Sequence, residues 1–480
     1  MALACGLSAA EMTVLLNVDP AKAGAPLPSN FCGLSFEVAL VLPGPDGVHY
    51  FRPDNQPLLR LFRTLGIKSL RIGGNTSDRD AKQLPTEADL DSLFGFAKAA
   101  GLKVIYCLQL HNGKAQEDAS IASYIMVHHS EQVDCFSIGQ EPSAYPVEKK
   151  DLRPNSERMG GAAEKYRYED YRTEWKAFAD TIIAAAPNVK FCGPSIHNNG
   201  EWARRFMADF GRSNHVGLIT EHLYPGGACG KVPSPEIGRD RMLSADFVKA
   251  YEKLYAGFVP MAISNSLPYR LEEVNNYFNG GATDVSDTFA SALWGLDFMY
   301  WWAEHDAAGI NFHTGDRVAA GSNLRPSKYT AFFSTTNGYL VRPLGYGLKA
   351  FALANDGRLV PVSISGERDP QLSVHGVLAP DQSLVVTIIN KEHVPAAANL
   401  NVELNAGQGY VTAQSMLLQA PTEDVAAKSG ITLGGSEIMN DATWAGHWKP
   451  LTPAMHQTFT LKVPAATAAL VRLSRRREFP

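Results

Sequence analysis

Cysteine is scarce. Six residues in 480 cannot build the dense framework of a small disulfide-stapled fold, and no CxxC or CxxH spacing occurs, which argues against a structural zinc site. Cys107, Cys135 and Cys192 sit inside apolar, strand-like runs and read as small core residues. No apolar stretch reaches the length of about 18 residues that a membrane span requires. A basic surplus is missing too: 44 Lys and Arg against 49 Asp and Glu give a net charge of −5, so general nucleic-acid binding is not expected. The one basic run, Arg475–Arg476–Arg477, reads as a frayed terminus. Met1 to Ala10 is a short apolar stretch without the positive charge that opens a secretory signal. It is compatible with the remainder of a removed signal peptide or with an added segment. The compartment stays open, with secreted or periplasmic favoured over cytoplasmic.

What is present is material for a large core. Apolar types make up 45% of the chain and charged types 19%. At about 150 residues per domain, the length implies two to three domains, or one large barrel with a companion. From about Ser29 to Gly315, short apolar runs alternate with helical patterns. The runs are Phe31–Val38, Lys68–Asn75, Leu102–Leu110, Cys135–Glu141, Lys190–Ser195, Gly217–Tyr224, Tyr269–Asn275 and Gly309–Gly315. Most are bounded by Gly, Asn or Pro and are too short for helices. Between them lie amphipathic segments. Glu87–Ala100 carries Leu90, Leu93, Phe94 and Phe96 and stops at Gly101, as a left-handed helix cap would. Glu169–Ala186 and Ser244–Phe258 show similar periodicity, and Ser286–Ala307 bears a dense aromatic stripe suited to packing against a barrel. Eight β/α repeats in this span predict a TIM (β/α)8 barrel. A charged insertion, Tyr145–Tyr168, follows the fourth run and is expected to overhang the active face.

After about Asn355 the pattern changes to short alternating runs: Leu359–Ile364, Leu372–Val377, Ser383–Ile389, Asn399–Leu404, Val411–Leu418 and Thr458–Val463. These predict a C-terminal antiparallel β-sandwich domain. Thr13–Val18 is also β-like and is expected to return to that sandwich. The predicted division is 1–24 as an N-terminal segment, 25–354 as the catalytic barrel and 355–480 as the sandwich.

Active sites of such barrels lie at the C-terminal ends of the strands. Run four ends in Gly139-Gln140-Glu141-Pro142, and run seven contains Glu272-Glu273 before Asn275-Asn276. One glutamate alone is an ordinary solvated strand-end charge. Two, three strands apart around an eight-stranded mouth, suit glycoside hydrolysis, where one carboxyl protonates the leaving oxygen and the other attacks or activates water. Strand alternation lets only one of Glu272 and Glu273 face the mouth, and the pattern alone does not choose between them.

The ordered set Phe31-Cys32-Gly33-Leu34-Ser35-Phe36-Glu37, Leu70-Arg71-Ile72-Gly73-Gly74-Asn75-Thr76-Ser77, Gly139-Gln140-Glu141-Pro142, Glu273 with Asn279-Gly280-Gly281, and Asn311-Phe312-His313 resembles glycoside hydrolase family 79. That family holds β-glucuronidases and heparanases. The resemblance implies Glu141 as acid/base and Glu273 as nucleophile. Glu272 is then expected to affect mainly stability. It further implies that Gly280 and Gly281, with Tyr329, receive a uronic-acid carboxylate on main-chain N–H groups, and that Glu37, Asn75 and His313 line the sugar pocket. Tyr224 would hydrogen-bond the nucleophile, and Arg71 would keep it ionised. One departure stands out: the clan usually carries Asn before the acid/base, in contact with the sugar 2-OH, and this chain has Gln140.

The reading is therefore a retaining exo-β-glucuronidase, acting on a glucuronide or a glucuronic-acid-containing glycan through a glycosyl-enzyme, with no metal and no cofactor. The motif Leu34-Ser35-Phe36-Glu37 resembles the bacterial exo members. The alternatives are an endo-acting heparanase-like glycosidase on a heparan-type polysaccharide, which would want a basic cleft, and a non-catalytic glycan-binding barrel.

Overall fold

The computed structural model describes residues 11–81, 83–145, 166–316, 326–365, 371–394, 397–453 and 458–475. Met1–Ala10, residues 146–165 of the insertion expected over the active face, and Arg476 and Arg477 lie outside the described residues.

Strand β1 (Glu11–Val18) precedes eight parallel strands: β2 (Cys32–Glu37), β3 (Ser69–Gly73), β4 (Lys103–Leu108), β5 (Val133–Ile138), β6 (Phe191–His197), β7 (Val216–Leu223), β8 (Tyr269–Val274) and β9 (Gly309–His313). These eight close into a barrel, with β2 bonded to both β3 and β9. Each coincides with one of the eight apolar runs. Helices α1 (Gln56–Leu65), α2 (Glu87–Ala100), α3 (Ala115–His128), α4 (Tyr168–Ala185), α5 (Gly200–Phe210), α6 (Pro235–Leu243), α7 (Ala245–Ser264), α8 (Ala290–Glu304) and α9 (Pro343–Ala352) alternate with or follow the strands. Local chemistry sets their ends. Thr86 and Asp89 form a reciprocal capping box at the start of α2, and Gly101, in the left-handed region, ends it. Leu90, Leu93, Phe94 and Phe96 are the buried face.

Helix α8 starts later than the Ser286 expected from sequence. Ser286 is instead spent on a turn, where its hydroxyl accepts from Ala282 N and donates to Asn276. The aromatic stripe does face the barrel: Trp294 and Phe298 both pack on Phe312 of β9.

Beyond the barrel, β10 (Phe332–Thr335) and β11 (Gly338–Val341) form a hairpin. Then come β12 (Arg358–Val360), β13 (Val362–Ser365), β14 (Leu372–Leu378), β15 (Leu384–Asn390), β16 (Asn399–Asn405), β17 (Tyr410–Gln419), β18 (Thr432–Leu433), β19 (Lys449–Leu451), β20 (Phe459–Val463) and β21 (Thr467–Arg475). They make two sheets, β13-β1-β16-β20 and β12-β14-β15-β21-β17-β18, with β19 added on β17. Between them lies a core that includes Val14, Leu16, Ile388, Leu400, Val402, Phe459 and Val471. The pairing is antiparallel except where β1 runs parallel to β16.

Strand β21 was missing from the expected strands. It sits between β15 and β17, paired with both. Its alanines dilute the apolar signal, yet both faces are buried: Ala468 and Leu470 join the core shared with the barrel, and Ala469, Val471 and Leu473 join the sandwich core. Arg475 is correspondingly not frayed: it closes β21 with its guanidinium 5.1 Å from the Tyr410 ring centre.

Candidate active site

Glu273, the centre of the site, is reached through an irregularity in β8. Leu271 pairs with Glu221 and the next pair is Glu273 with His222, so Glu272 is an extra residue. The register with β9 shifts over the same stretch. A bulge of this kind breaks strand alternation. Glu272 and Glu273 consequently both turn inward, contrary to the expectation that only one could. Glu272, fully buried, faces His222 Nε2 at 3.5 Å, while Glu273 rises to meet Arg71.

Four side chains hold Glu273. Arg71 Nη1 donates to Oε2 at 2.7 Å, Gln140 Nε2 donates to Oε2 at 3.0 Å, Tyr224 OH donates to Oε1 at 2.9 Å, and His313 Nδ1 stands 3.9 Å from Oε2. Arg71 also donates to Gln140 Oε1 and, at 3.3 Å, to Ser35 Oγ. Gly73 makes room for this guanidinium, since a Cβ there would lie 2.1 Å from Arg71 Cζ. Burial alone would raise the Glu273 carboxyl, but the charges of His313, His222 and Arg71 and the Tyr224 hydroxyl hold it far below the usual carboxylate range.

Glu141 follows β5 with a left-handed backbone, φ 48°, a costly conformation for a residue with a Cβ. It aims its carboxylate across the mouth. Oε1 faces His222 Nδ1 at 3.1 Å, and Arg79 Nη2 donates to Oε2 at 3.3 Å. One oxygen of Glu141 and one of Glu273 lie within 4.8 Å of each other. Burial would raise the Glu141 carboxyl, but its bond to His222 outweighs that and lowers it. The imidazole moves the other way. Burial would lower it, yet the Glu273 charge and the contacts to Glu141 and Glu272 push it up to about 9. The opposed shifts are those of an ion pair between Glu141 and His222.

The sugar-pocket candidates gather around this pair. Glu37, ending β2, accepts from Thr76 Oγ1 at 2.6 Å and faces His313 Nε2 at 3.6 Å. Burial would raise its carboxyl, but His313 and Thr76 lower it. Asn75 is exposed at the rim, where its Oδ1 accepts from Arg79. Tyr329 is buried, with its ring 6.0 Å from that of His313 and 6.3 Å from that of Tyr224. Gly281, at φ 86°, packs against Tyr329: a Cβ there would lie 2.8 Å from Tyr329 N. Gly280 joins through its carbonyl, which accepts from Lys328 N.

Sequence reading missed the roles of His222, Arg79 and Asp78. Asp78 is buried and accepts from Gln140 N and Tyr145 OH, fixing the backbone before Glu141; its carboxyl is pushed up to about 7, mainly by burial. The signal for His222 was its spacing, two residues before Tyr224 on the same strand face. Arg79 and Asp78 lie in a loop, where spacing carries no such information.

Among the described residues, Glu141, His222 and Glu273 are the one cluster of metal-ligand types. It does not fit a resident cation. The buried Arg71 guanidinium, 2.7 Å from Glu273, sets a permanent positive charge beside the place a cation would take.

No family model matches the chain. A β-glucuronidase of Aspergillus niger (strain ATCC MYA-4892 / CBS 513.88 / FGSC A1513) is 24% identical over 193 residues, covering 38% of this chain. The match spans 34% of that relative's length. Among solved structures, a 4-O-α-L-rhamnosyl-β-D-glucuronidase from Fusarium oxysporum 12S, in complex with Rha-GlcA, superposes with a TM-score of 0.71 at 17% identity, over 95% of this chain and 99% of that one. The chain is thus similar to β-glucuronidases in part of its sequence and in its fold. A glycoside hydrolase family 51 arabinofuranosidase from Xanthomonas axonopodis pv. citri follows at TM-score 0.66 and 12% identity, over 96% and 100%. At these identities the chain shares with its structural neighbours the fold, a barrel with an appended β domain.

Proposed function

We propose that the chain is a retaining exo-β-glucuronidase. The observation that carries this reading is the approach of Glu141 and Glu273 to within 4.8 Å. Retaining glycosidases hold their two carboxyl groups about 5–5.5 Å apart, whereas inverting ones need about 6.5–9.5 Å to admit a water. Glu273, kept ionised by Arg71 and oriented by Tyr224, attacks the anomeric carbon. Glu141 gives its proton to the leaving oxygen. Water then cleaves the glycosyl-enzyme, and Glu141 takes the proton back. The Tyr329–Gly281 contact beside His313 and Tyr224 supports a pocket for the glycone carboxylate, with the phenol and main-chain N–H groups as donors.

A nitrophenyl β-glucuronide and the matching β-glucoside test the reading. Glucuronide preference of roughly two decades in kcat/KM and initial release of the β-anomer by proton NMR are expected. Initial α-anomer removes the double displacement, and equal rates on both substrates remove the carboxylate pocket.

A second reading has one observation behind it. A cavity of about 370 Å³ lies between the loop after β2, including Leu42, Val48 and Tyr50, and the β10–β11 hairpin with Tyr339. Both segments follow C-terminal strand ends, and none of Glu141, Glu273 and Tyr329 lines the cavity. A longer glycan, as an endo-acting enzyme would bind, has room there. A defined heparan oligosaccharide run beside the aryl glucuronide separates the two.

A further inference from the structure

Glu272 was expected to serve stability, yet its surroundings are unlike those of a structural carboxylate. It is fully buried. Among the described residues His222 is the one cationic group within 4.0 Å of it, Nε2 to Oε1 at 3.5 Å. Its other oxygen meets the weak Cys192 thiol at 3.9 Å, and the Ser195 hydroxyl also favours its charged form. A fully buried carboxylate is costly unless charged neighbours compensate it, and here the adjacent His222 imidazole and the more distant Arg71 guanidinium do so. The opposite nitrogen of that imidazole, Nδ1, is 3.1 Å from Glu141 Oε1. Glu272, His222 and Glu141 therefore form one line from the barrel interior to its mouth.

We infer that Glu272 is a positioning residue that holds His222 with a proton on Nε2, so that Nδ1 exchanges its proton with Glu141 during catalysis. The inference rests on the reading of Glu141 as the acid/base.

The proton accounting closes without an outside donor. At rest, His222 carries protons on both nitrogens and Glu141 is a carboxylate. As substrate binds, the Nδ1 proton passes to Glu141, leaving a neutral imidazole whose Nε2–H faces ionised Glu272. Glu141 then donates that proton to the leaving oxygen as the C1–O bond breaks and the Glu273–C1 bond forms. In the second half, water attacks C1, the Glu273–C1 bond breaks, and the water proton returns through Glu141 to Nδ1. Glu272 never gains or loses a proton. A carboxylate that fixes the tautomer of a catalytic imidazole performs the same task in hydrolases with a Ser-His-Asp triad.

The charged and titratable groups facing His222 are Glu141 from the end of β5, Glu272 and Glu273 from β8, Arg71 from β3, His197 from β6 and Glu221 from its own strand. Glu272 is the member that touches only Nε2. Its removal acts on His222 away from the substrate, and an effect passed through Arg71 to Glu273 would show on the acidic limb instead.

The test is Glu272→Gln, which keeps shape and removes charge. Loss of the shared proton inactivates the enzyme, so this proton sets the basic limb of kcat/KM. Without Glu272 the proton is held less tightly. The basic limb is expected to move down by about one pH unit or more, while KM for an aryl glucuronide changes less than about twofold. Glu272→Asp, which restores the charge, should return the limb toward its original position. A structural role would lower stability and leave the limb in place, and an unmoved limb in folded Glu272→Gln overturns the inference. Should that variant not fold, ¹⁵N-histidine NMR of the unaltered protein decides. The resonances lost in His222→Asn must show neutral His222 with its proton on Nε2, and a neutral Nδ1–H form overturns the inference. If the unaltered protein cleaves no glucuronide, the functional reading fails, and the NMR titration still reports whether Glu272 governs His222.

Discussion

The Arg71 guanidinium lies 2.7 Å from the Glu273 carboxylate, and the arginine is fully buried. It is the permanent charge of the site, because arginine does not titrate in the working range. Arg71→Met is expected to leave Glu273 held by the His313 and His222 charges and the Tyr224 and Gln140 hydrogen bonds. A depressed carboxyl is ionised above its folded value and protonates as pH falls through it. Removing the cation raises that value, so the acidic limb of kcat/KM should shift upward by about 1–3 pH units. An unchanged acidic limb would show that the remaining partners suffice.

The two glutamates should fail differently. Glu273→Ala is expected to abolish turnover of every glucuronide, since nothing else forms the covalent intermediate. Glu141→Ala should retain more first-step activity on an activated aryl glucuronide than on a poor leaving group. Azide needs no general base and should rescue Glu141→Ala as the β-glucuronyl azide. A β-azide from Glu273→Ala instead would reverse the assignment.

Tyr329→Phe removes a buried hydroxyl while keeping the ring that packs on His313 and Tyr224. The kcat/KM ratio of glucuronide to glucoside should fall about tenfold, the worth of one charge-assisted hydrogen bond. The glucoside rate itself should hardly move. An unchanged ratio would place the carboxylate elsewhere.

Where the barrel meets the sandwich, His375 of β14 lies 3.1 Å from Asp297 and 2.7 Å from Glu304, both on α8, and Lys391 reaches Asp297 at 2.7 Å. Burial would lower the imidazole, but the two carboxylates push it up to about 9. A raised histidine contributes stability in full below its unfolded value, near 6.5, and loses it as pH rises through about 9. Asp297, held well below its ordinary range mainly by Lys391 and His375 against the effect of burial, contributes above its unfolded value and loses it on acidification. The clamp is thus fullest between about pH 4 and 6.5. Thermal unfolding should show a decline of on the order of 2 kcal/mol between pH 6.5 and 9, and His375→Phe, which keeps the stacking on Tyr300, should flatten it. A slope that persists in the variant would assign it to another group.

Much of this protein is written locally. The eight apolar runs, the Thr86 cap, the Gly101 stop and the aromatic stripe of α8 follow from nearest-neighbour chemistry, and each can be read one segment at a time. So can the two glutamates at strand ends, since a barrel puts its chemistry there whatever its sequence. Other features depend on residues far apart in the chain. The bulge in β8 turns Glu272 and Glu273 inward together, and only pairing with β7 and β9 reveals it. Strand β21 is legible only from the strands that pair with it and the two cores that cover its faces. The ionisation of Glu273 depends on Arg71, His222 and His313, brought from β3, β7 and β9. Sequence determined which residue types stand at the strand ends. Tertiary structure decided their charge and direction, because fields and close packing act through space and not along the chain.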